Sequence, residues 1–427
     1  MKLRDYKHVH CIGIGGIGLS AIARYCHAQG AMVAGSDGGA SRITEDLEKE
    51  GVKVYIGHDA SHVSLETDLV IYTIAVNENN TELRIARENG IVCMTYPEAL
   101  GMLTKEYTTI AVSGTHGKTT TTAMVASMLT ACGKNPTVIV GSLLGEDNTR
   151  PGFRTNFIQG DSEYLVVEAC EYRRSFLNLH PKHIIVTNID EDHLDYYKDI
   201  QDIESAFQSF AGKLDDTGLL ITHGDITLQT QGKKVNADEI DKDTLELSVL
   251  GEHNKRNAQL ALALALELGF DEQDARNGLL AFTGTWRRLE YRGTQKGAIL
   301  YDDYGHHPTE IQATLQALRE RYISGKFKLI VVFQPHLFSR TKQLLQEFSQ
   351  AFSQADKICI LPIYKAREID DGTISSHDLV EITHNAIYME SFEEVKKYLD
   401  KNAHSGSVVL TIGAGDVYRL YETYITA

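Results

Sequence analysis

The 427-residue sequence predicts an α/β protein made of three successive units. Three observations carry this expectation. Short apolar, β-branched runs alternate with longer amphipathic stretches along most of the chain, the rhythm of parallel sheets covered by helices. Two glycine-rich loops each follow a candidate strand and precede a candidate helix. The length itself suits about three domains at roughly 150 residues each.

Composition narrows the function. Lys plus Arg is 42 and Asp plus Glu is 58, so the formal net charge is 42 − 58 = −16. A chain this acidic is a poor general nucleic-acid binder, because phosphates need local positive charge. Hydrophobic residues are 42% and charged residues 23%, as in a folded soluble protein. No apolar run reaches the ~18 residues needed for a membrane span. The start, MKLRDYKHVHCIGIGG, has no separate apolar core before a small-residue cleavage site, so no signal peptide is expected. The six cysteines (Cys11, Cys26, Cys93, Cys132, Cys170 and Cys359) form no C-x-x-C pair. They read as reduced thiols of a cytoplasmic protein rather than a zinc ribbon or redox pair.

In the first unit, strands are expected at His8–Ile14, Ala31–Ser36, Val52–Ile56, Asp68–Thr73 and Ile91–Met94, with a linker near Gly101–Lys105. The second unit opens with a strand at Thr108–Ser113 that runs into GTHGKTTTTAMVASML, a loop followed by a helix. Further strands are expected at Tyr164–Glu168 and His183–Thr187, and helices at Ile203–Phe210 and Asn254–Leu268. Residues His223–Asp243 are polar and unpatterned, and read as loops and weak strands. The third unit follows Arg287-Arg288, with strands at Ala298–Asp302, Lys328–Phe333, Lys357–Leu361 and Val408–Ile412. No internal repeat or low-complexity segment is present.

Gly13, Gly15 and Gly18 satisfy G-x-G-x-x-G between a strand and a helix. Such glycines permit a tight turn and close backbone approach to a pyrophosphate at the helix N-terminus. Asp37, after the second strand, is placed to accept a ribose hydroxyl. The loop recognises phosphate and not the rest of the ligand, so NAD and a sugar-linked diphosphonucleotide both remain open at this point.

Gly114-Thr115-His116-Gly117-Lys118-Thr119-Thr120 is the strongest signal. Backbone N–H groups in such a loop cradle ATP phosphates, Lys118 counters their charge and the Thr119 hydroxyl reaches Mg²⁺. Val112 stands where the strict motif has its first glycine. Glu168 ends an apolar strand, where an acid can reach the same metal. His193 follows another strand; a magnesium ion prefers oxygen ligands, so a loop histidine bonded to backbone is the plain alternative. Asn254 reads equally well as a helix cap. Arg287-Arg288 and Arg340 are fixed charges for phosphate or carboxylate, with a solvated pair as the plain reading of the first two. Asp302-Asp303-Tyr304-Gly305-His306-His307-Pro308, Gln334-Pro335-His336 and Gly413-Ala414-Gly415-Asp416 all follow strands, where α/β sheets collect ligands. No G-x-S-x-G elbow exists, which argues against acyl-enzyme chemistry.

Taken together, HCIGIGGIGLSAIA, SGTHGKTTT, VVEACEYRRSFLNLHP, TNIDEDHLDYY, GEHNKRNA, DDYGHHPTEI, FQPHLFSRT and GAGD resemble the Mur ligases of peptidoglycan synthesis, over nearly the whole chain. The resemblance implies an N-terminal Rossmann-like domain for UDP (1–104), a central P-loop ATPase domain (105–292) and a C-terminal Rossmann-like domain (293–427). It settles the first loop in favour of UDP, held by Gly15, Gly16, Ile17, Gly18, Ser36 and Asp37. ATP would meet Gly114, Thr115, His116, Gly117, Lys118, Thr119 and Thr120, with His253 and Asn257 against adenine and Arg288 near the phosphates. Thr119 and Glu168 would serve one Mg²⁺ and His193 a second. Asp303, Tyr304, His306, His336 and Arg340 would face the reacting end of the substrate.

The motifs are most like those of the alanine-adding members, which implies ATP, UDP-N-acetylmuramate and L-alanine as small-molecule partners. No nucleic acid or membrane partner is implied, and the chain would be a monomer or homodimer in the cytoplasm. Lys118, Glu168, His193, His306 and Arg340 would carry the reaction. A ligase joining a whole peptide to the same nucleotide sugar is the neighbouring alternative; an NAD dehydrogenase leaves the second and third units without purpose. Many alanine-adding members read HRYTR where this chain has His336-Leu337-Phe338-Ser339-Arg340, which makes Arg340 the firmer anchor for alanine. Sister ligases carry a carbamylated lysine about fifteen residues after the matching histidine; Gln208 stands near that position, so no carbamate is expected. Trp286 before the arginine pair is also unusual.

Overall fold

The computed structural model describes residues 2–144, 154–193, 196–366 and 368–425. The strands gather into three sheets, one per expected unit. In the first, β1 (His8–Ile12), β2 (Met32–Asp37), β3 (Lys53–Ile56), β4 (Leu69–Tyr72) and β5 (Val92–Thr95) are all parallel, in the order β3-β2-β1-β4-β5. The order reverses between β1 and β4, and such a switch point opens a crevice at the carboxyl ends of the strands.

The second sheet contains β6 (Thr108–Ser113), β7 (Thr137–Ile139), β8 (Phe157–Ile158), β9 (Tyr164–Glu168), β10 (His183–Val186), β11 (Leu219–Thr222) and β12 (Lys233–Asn236). Its order is β12-β11-β10-β6-β9-β7-β8, with only the edge strand β8 antiparallel to its neighbour. β6 is central and pairs in parallel with β9 and β10. Ile110, Ala111 and Val112 are wholly buried, which is why this strand reads as a continuous apolar run rather than an alternation.

The third sheet holds β13 (Glu290–Gln295), β14 (Ala298–Asp303), β15 (Lys328–Phe333), β16 (Lys357–Ile360), β17 (Ala386–Tyr388) and β18 (Ser407–Ile412), in the order β13-β14-β18-β15-β16-β17. β13 is antiparallel to β14 and the others are parallel. Apolar layers cover both faces of this sheet, one around Leu315, Phe333 and Phe348 and the other around Val332, Leu399 and Tyr421.

The first two sheets share one compact unit, residues up to Leu247 with Arg256–Thr283; the third forms its own unit from Ser248–Lys255 and Gly284 onward. Regular structure occupies two of the expected break regions. Gly101–Lys105 is not a loose linker: Gly101 lies inside the helix Tyr96–Thr104, and a Cβ there would stand 2.3 Å from the Asn178 carbonyl oxygen. The expected break at 292/293 falls within β13, whose backbone pairs with β14, so the third unit begins earlier.

Candidate active site

The phosphate loop leaves the end of β6. Gly114 has φ +137°, and a Cβ there would meet the Thr187 Oγ1 at 2.0 Å. Gly117 has φ +82°, and its Cβ would press on Asn257 Oδ1 at 2.9 Å. Both positions therefore need glycine, for backbone conformation and for space. Thr115 N donates to Asn188 O (3.1 Å), His116 N to Asn188 Oδ1 (2.8 Å) and Asp190 N to Thr115 Oγ1 (2.8 Å). The segment after β10 thus braces the loop. Val112 lies within the buried strand β6, so the turn is built from fewer residues than the strict motif. The helix Lys118–Ala131 starts at the loop's end, and its first-turn N–H groups lack intrahelical acceptors, which makes an anion site. Thr119 and Thr120 are buried in that first turn.

Around this loop the charges fall into two groups. Lys118 Nζ donates to the carbonyls of Gly114 (2.6 Å) and Thr115 (2.9 Å) and to Glu171 Oε1 (3.0 Å). Burial opposes its charge, but Glu171, with Cys170 and Glu168, outweighs that and holds the ammonium above the ordinary lysine value. His193 Nε2 stands 3.6 Å from the same Glu171, in a residue with φ 55°. In the second group the Thr119 hydroxyl donates to Glu168 Oε2 (2.9 Å), which also accepts from Gly141 N (2.7 Å). A Cβ on Gly141 would reach 2.8 Å from Glu168, so glycine keeps that carboxylate accessible. Among the described residues no three His, Cys, Asp or Glu side chains form a protein-only metal cage. The Thr119–Glu168 pair instead offers oxygen donors, which fits a magnesium ion sharing its ligands with phosphates.

In the first sheet Gly13 has φ +85° and Gly15 N donates to Asp37 Oδ2 (2.9 Å). A Cβ on Gly15 would lie 2.8 Å from that carboxylate, and one on Gly18 would lie 2.6 Å from the Tyr96 ring. The loop and Asp37 are therefore one unit, with Gly16 and Ile17 at the start of the helix Ile17–Ala28. Ser36 is fully buried: its carbonyl accepts from Gly13 N (2.7 Å) and Ile14 N (2.9 Å), and its hydroxyl points inward.

The third sheet assembles the motifs after β14 and β15. Asp303 is buried, accepting from Leu289 N (2.7 Å) and Gly305 N (2.7 Å). Burial pushes its carboxyl up to about 6, against the opposing pull of Arg288 and those N–H groups. His306 Nδ1 lies 3.2 Å from the Tyr304 carbonyl, its ring 6.0 Å from that of His336, and His336 Nδ1 is 3.4 Å from Arg340. Leu337, between them in sequence, has φ 71° and is buried. Arg287 is not a solvated charge. It is 1% exposed, donates to Asp302 Oδ2 (2.7 Å) and to the carbonyls of Gly415 (2.9 Å) and Gly413 (2.6 Å). It thereby pins the GAGD turn to β14. Trp286 packs edge-on against Tyr418 at 5.3 Å, beside that arginine. Arg288 lies 5.2 Å from the Tyr304 ring and 3.8 Å from Glu310. His253 is held below the ordinary histidine value, first by burial and then by Arg288.

The structure thus brings Thr119 to Glu168, Asn257 to Gly117, Asp37 to Gly15, and His306, His336 and Arg340 to one another. It places His193 beside Glu171 rather than in contact with the Thr119–Glu168 pair. Glu171 and Asn188 carry no sequence signal of their own beyond lying in VVEACEYRRSFLNLHP and TNIDEDHLDYY. Gln208 braces Gln229 through two hydrogen bonds (2.9 and 3.0 Å) from the helix Ile200–Ala211.

Comparison with known proteins gives a consistent result. Sequence models of the Mur ligase family match residues 8–108 (catalytic domain), 112–238 (middle domain) and 287–415 (glutamate ligase domain). The UDP-N-acetylmuramate–L-alanine ligase of Acetivibrio thermocellus is 40% identical, covering 98% of this chain and 96% of its own. That of Agathobacter rectalis is 38% identical, covering 97% of both. The crystal structure of UDP-N-acetylmuramate–alanine ligase from Thermotoga maritima superposes with a TM-score of 0.80 at 29% identity, over 98% of each chain. A murein peptide ligase from Psychrobacter arcticus shares the fold, with a TM-score of 0.71 at 22% identity over 99% of this chain and 100% of that one. The chain belongs to the Mur ligase family.

Proposed function

We propose that this chain is an ATP-dependent ligase that joins L-alanine to the lactyl carboxylate of UDP-N-acetylmuramate, releasing ADP and phosphate. One observation carries this reading: identity of 38–40% with proteins of that name over at least 96% of the chain. The division of labour follows the sheets, with the UDP group on the first, ATP on the second and the amino acid on the third.

A carboxylate resists attack by an amine until one of its oxygens becomes a leaving group. In the first step a lactyl carboxylate oxygen attacks the γ-phosphorus of ATP, and the bond to ADP breaks. The alanine nitrogen then attacks the acyl carbon, a proton leaves that nitrogen, and the C–O bond to phosphate breaks to give the amide. Positioning and charge neutralisation dominate phosphoryl transfer. Lys118 leaves its loop carbonyls for the transferring phosphoryl oxygens, and Glu171 keeps it charged. The N-terminal amides of the helix Lys118–Ala131 take the remaining phosphate charge. Magnesium, as two ions, would be held by Thr119 and Glu168 and by His193 beside Glu171, and it supplies further neutralisation of the phosphates.

Arg340, with His336 against it, takes the alanine carboxylate; His306, in the same cluster, is the base for the amine proton. His253 and Asn257 serve the purine and Arg288 the phosphates. The described residues include no helix long and apolar enough to cross a membrane. We place the enzyme in the cytoplasm, acting as a monomer or homodimer on small molecules. Phosphate release offered L-alanine, glycine, L-serine or a stem tripeptide tests the amine: L-alanine should be preferred, and preference for the tripeptide would sink the reading.

A further inference from the structure

A buried polar cluster sits beneath the carboxyl ends of β1 and β2 in the first sheet, and of its members only Ser36 is among the residues expected to hold UDP. At its centre is Glu82, wholly buried near the start of the helix Thr81–Glu88. Its Oε2 accepts from Ser36 Oγ (2.5 Å) and His10 Nε2 (3.0 Å). Its Oε1 accepts from His62 Nδ1 (2.9 Å) and Asp59 N (3.1 Å). Four donors converge on one carboxylate. Burial alone would raise its pKa, but the hydrogen bonds from His10, Ser36 and His62 outweigh burial and hold it down at about 2. Glu82 is therefore an anion that only accepts.

That fixes the next link. Ser36 has one hydroxyl proton and gives it to Glu82. The contact between Ser36 Oγ and His58 Nδ1 (3.0 Å) must then use a proton on the histidine. Of the two neutral tautomers of His58, only the one with its hydrogen on Nδ1 makes this contact, and in it Nε2 is an acceptor. The His58 ring is a third exposed, and no group among the described residues takes up its Nε2. His58 follows β3, directly after Gly57, whose N–H donates to the Asp37 carbonyl (2.7 Å). In a doubly wound nucleotide fold the pyrophosphate lies on the first glycine loop and the ribose at the acid ending the second strand. Asp37 pairs with Ile56 at the end of β3, so a base carried by a ribose at that acid would have His58 within the next turn of chain.

We propose that His58 reads the nucleobase of the bound nucleotide sugar, its Nε2 accepting from the uracil N3–H, and that Glu82 and Ser36 are positioning residues that set its tautomer. The inference rests on the UDP role of the first sheet and deepens it. Cytosine presents a bare N3 at the same place, so two acceptors would face each other. The Glu82–Ser36–His58 chain is thus a specificity device as well as an anchor.

Calorimetric titration of UDP and CDP into wild type and the variants His58→Ala, Ser36→Ala and Glu82→Gln tests it, with ATP affinity measured alongside. Wild type should prefer UDP to CDP. His58→Ala should weaken UDP by about tenfold, the value of one lost hydrogen bond, and bring the UDP-to-CDP ratio towards one. Ser36→Ala should lower the same ratio by a smaller factor while ATP affinity holds, which a general loss of structure would not do. UDP affinity within twofold of wild type in His58→Ala, or a loss that leaves the ratio unchanged, overturns the inference alone. Wild type that binds no UDP removes it together with the assigned role of the first sheet.

Discussion

Two strand–loop–helix turns in this chain look alike in outline and differ in charge. Both use glycines at positive φ, at Gly13 in one and at Gly114 and Gly117 in the other, and both lead directly into a helix N-terminus. The loop at Gly13–Gly18 has a carboxylate, Asp37, bonded to its own backbone and no cation in the turn. The loop at Gly114–Thr119 carries Lys118 within it and two separate acids, Glu168 and Glu171, at its edge. In the proposed reading, a glycine turn without a cation is enough to hold a diphosphate that does not react. In the same reading, moving a phosphoryl group needs charge that follows it, which the second loop would supply with a lysine kept protonated and with oxygen donors for a metal.

That contrast can be broken at several points. The largest effect is expected at the reactive loop: Lys118→Ala should cut turnover by at least ~100-fold, measured as phosphate release, while UDP binding stays as in wild type. Near-normal turnover would show that the two loops do not differ in the way described. Glu168→Gln should follow, with a loss on the order of 100-fold that added magnesium partly restores. Loss without any change in magnesium dependence would detach Glu168 from the metal.

At the holding loop the signature reverses. Gly18→Ala places a Cβ 2.6 Å from the Tyr96 ring, and should raise the KM for the nucleotide sugar about tenfold with little effect on the KM for ATP. If both KM values rose together, the loops would not be separate binding sites. The smallest effect concerns Asp303. Its folded-state pKa lies near 6, above the ordinary 3.8, so the folded chain holds this proton more tightly than the unfolded one. Stability contributed by that proton is full below pH ~4 and is lost as pH rises to about 6. Relative to Asp303→Asn, wild type should therefore lose melting temperature across that window and run parallel to it above pH ~7. Parallel curves throughout would mean that Asp303 is ionised without penalty.

Much of the fold was legible because buried parallel strands announce themselves. β6 and β15 coincide with their expected limits, Thr108–Ser113 and Lys328–Phe333, since both are apolar and covered on two faces. Edge strands left no such mark. β13 reads EYRGTQ and is held by antiparallel pairing to β14, which is a tertiary fact. Gly101 looked like a break because glycine is rare inside helices, yet it is there to let the Asn178 backbone approach.

In the site, residues within local motifs can be nominated from the sequence, whereas residues that arrive by a change of chain direction carry no such signal. Glu171 reaches Lys118 where the backbone bends through Arg173 and Arg174, both at positive φ, and no spacing rule foretells that. Glu82 is remote in sequence from Ser36 and sits in an ordinary-looking TELRIARE helix. Only the fold shows that its carboxylate points into the sheet.

In the proposed reaction a sugar nucleotide's carboxylate is activated at the Lys118 loop and captured by alanine. Purified chain supplied with ATP, magnesium and UDP-N-acetylmuramate should release phosphate in step with added L-alanine, one per amide formed, and stop when any component is withheld. Phosphate release that ignores L-alanine, or none with all four present, would contradict it.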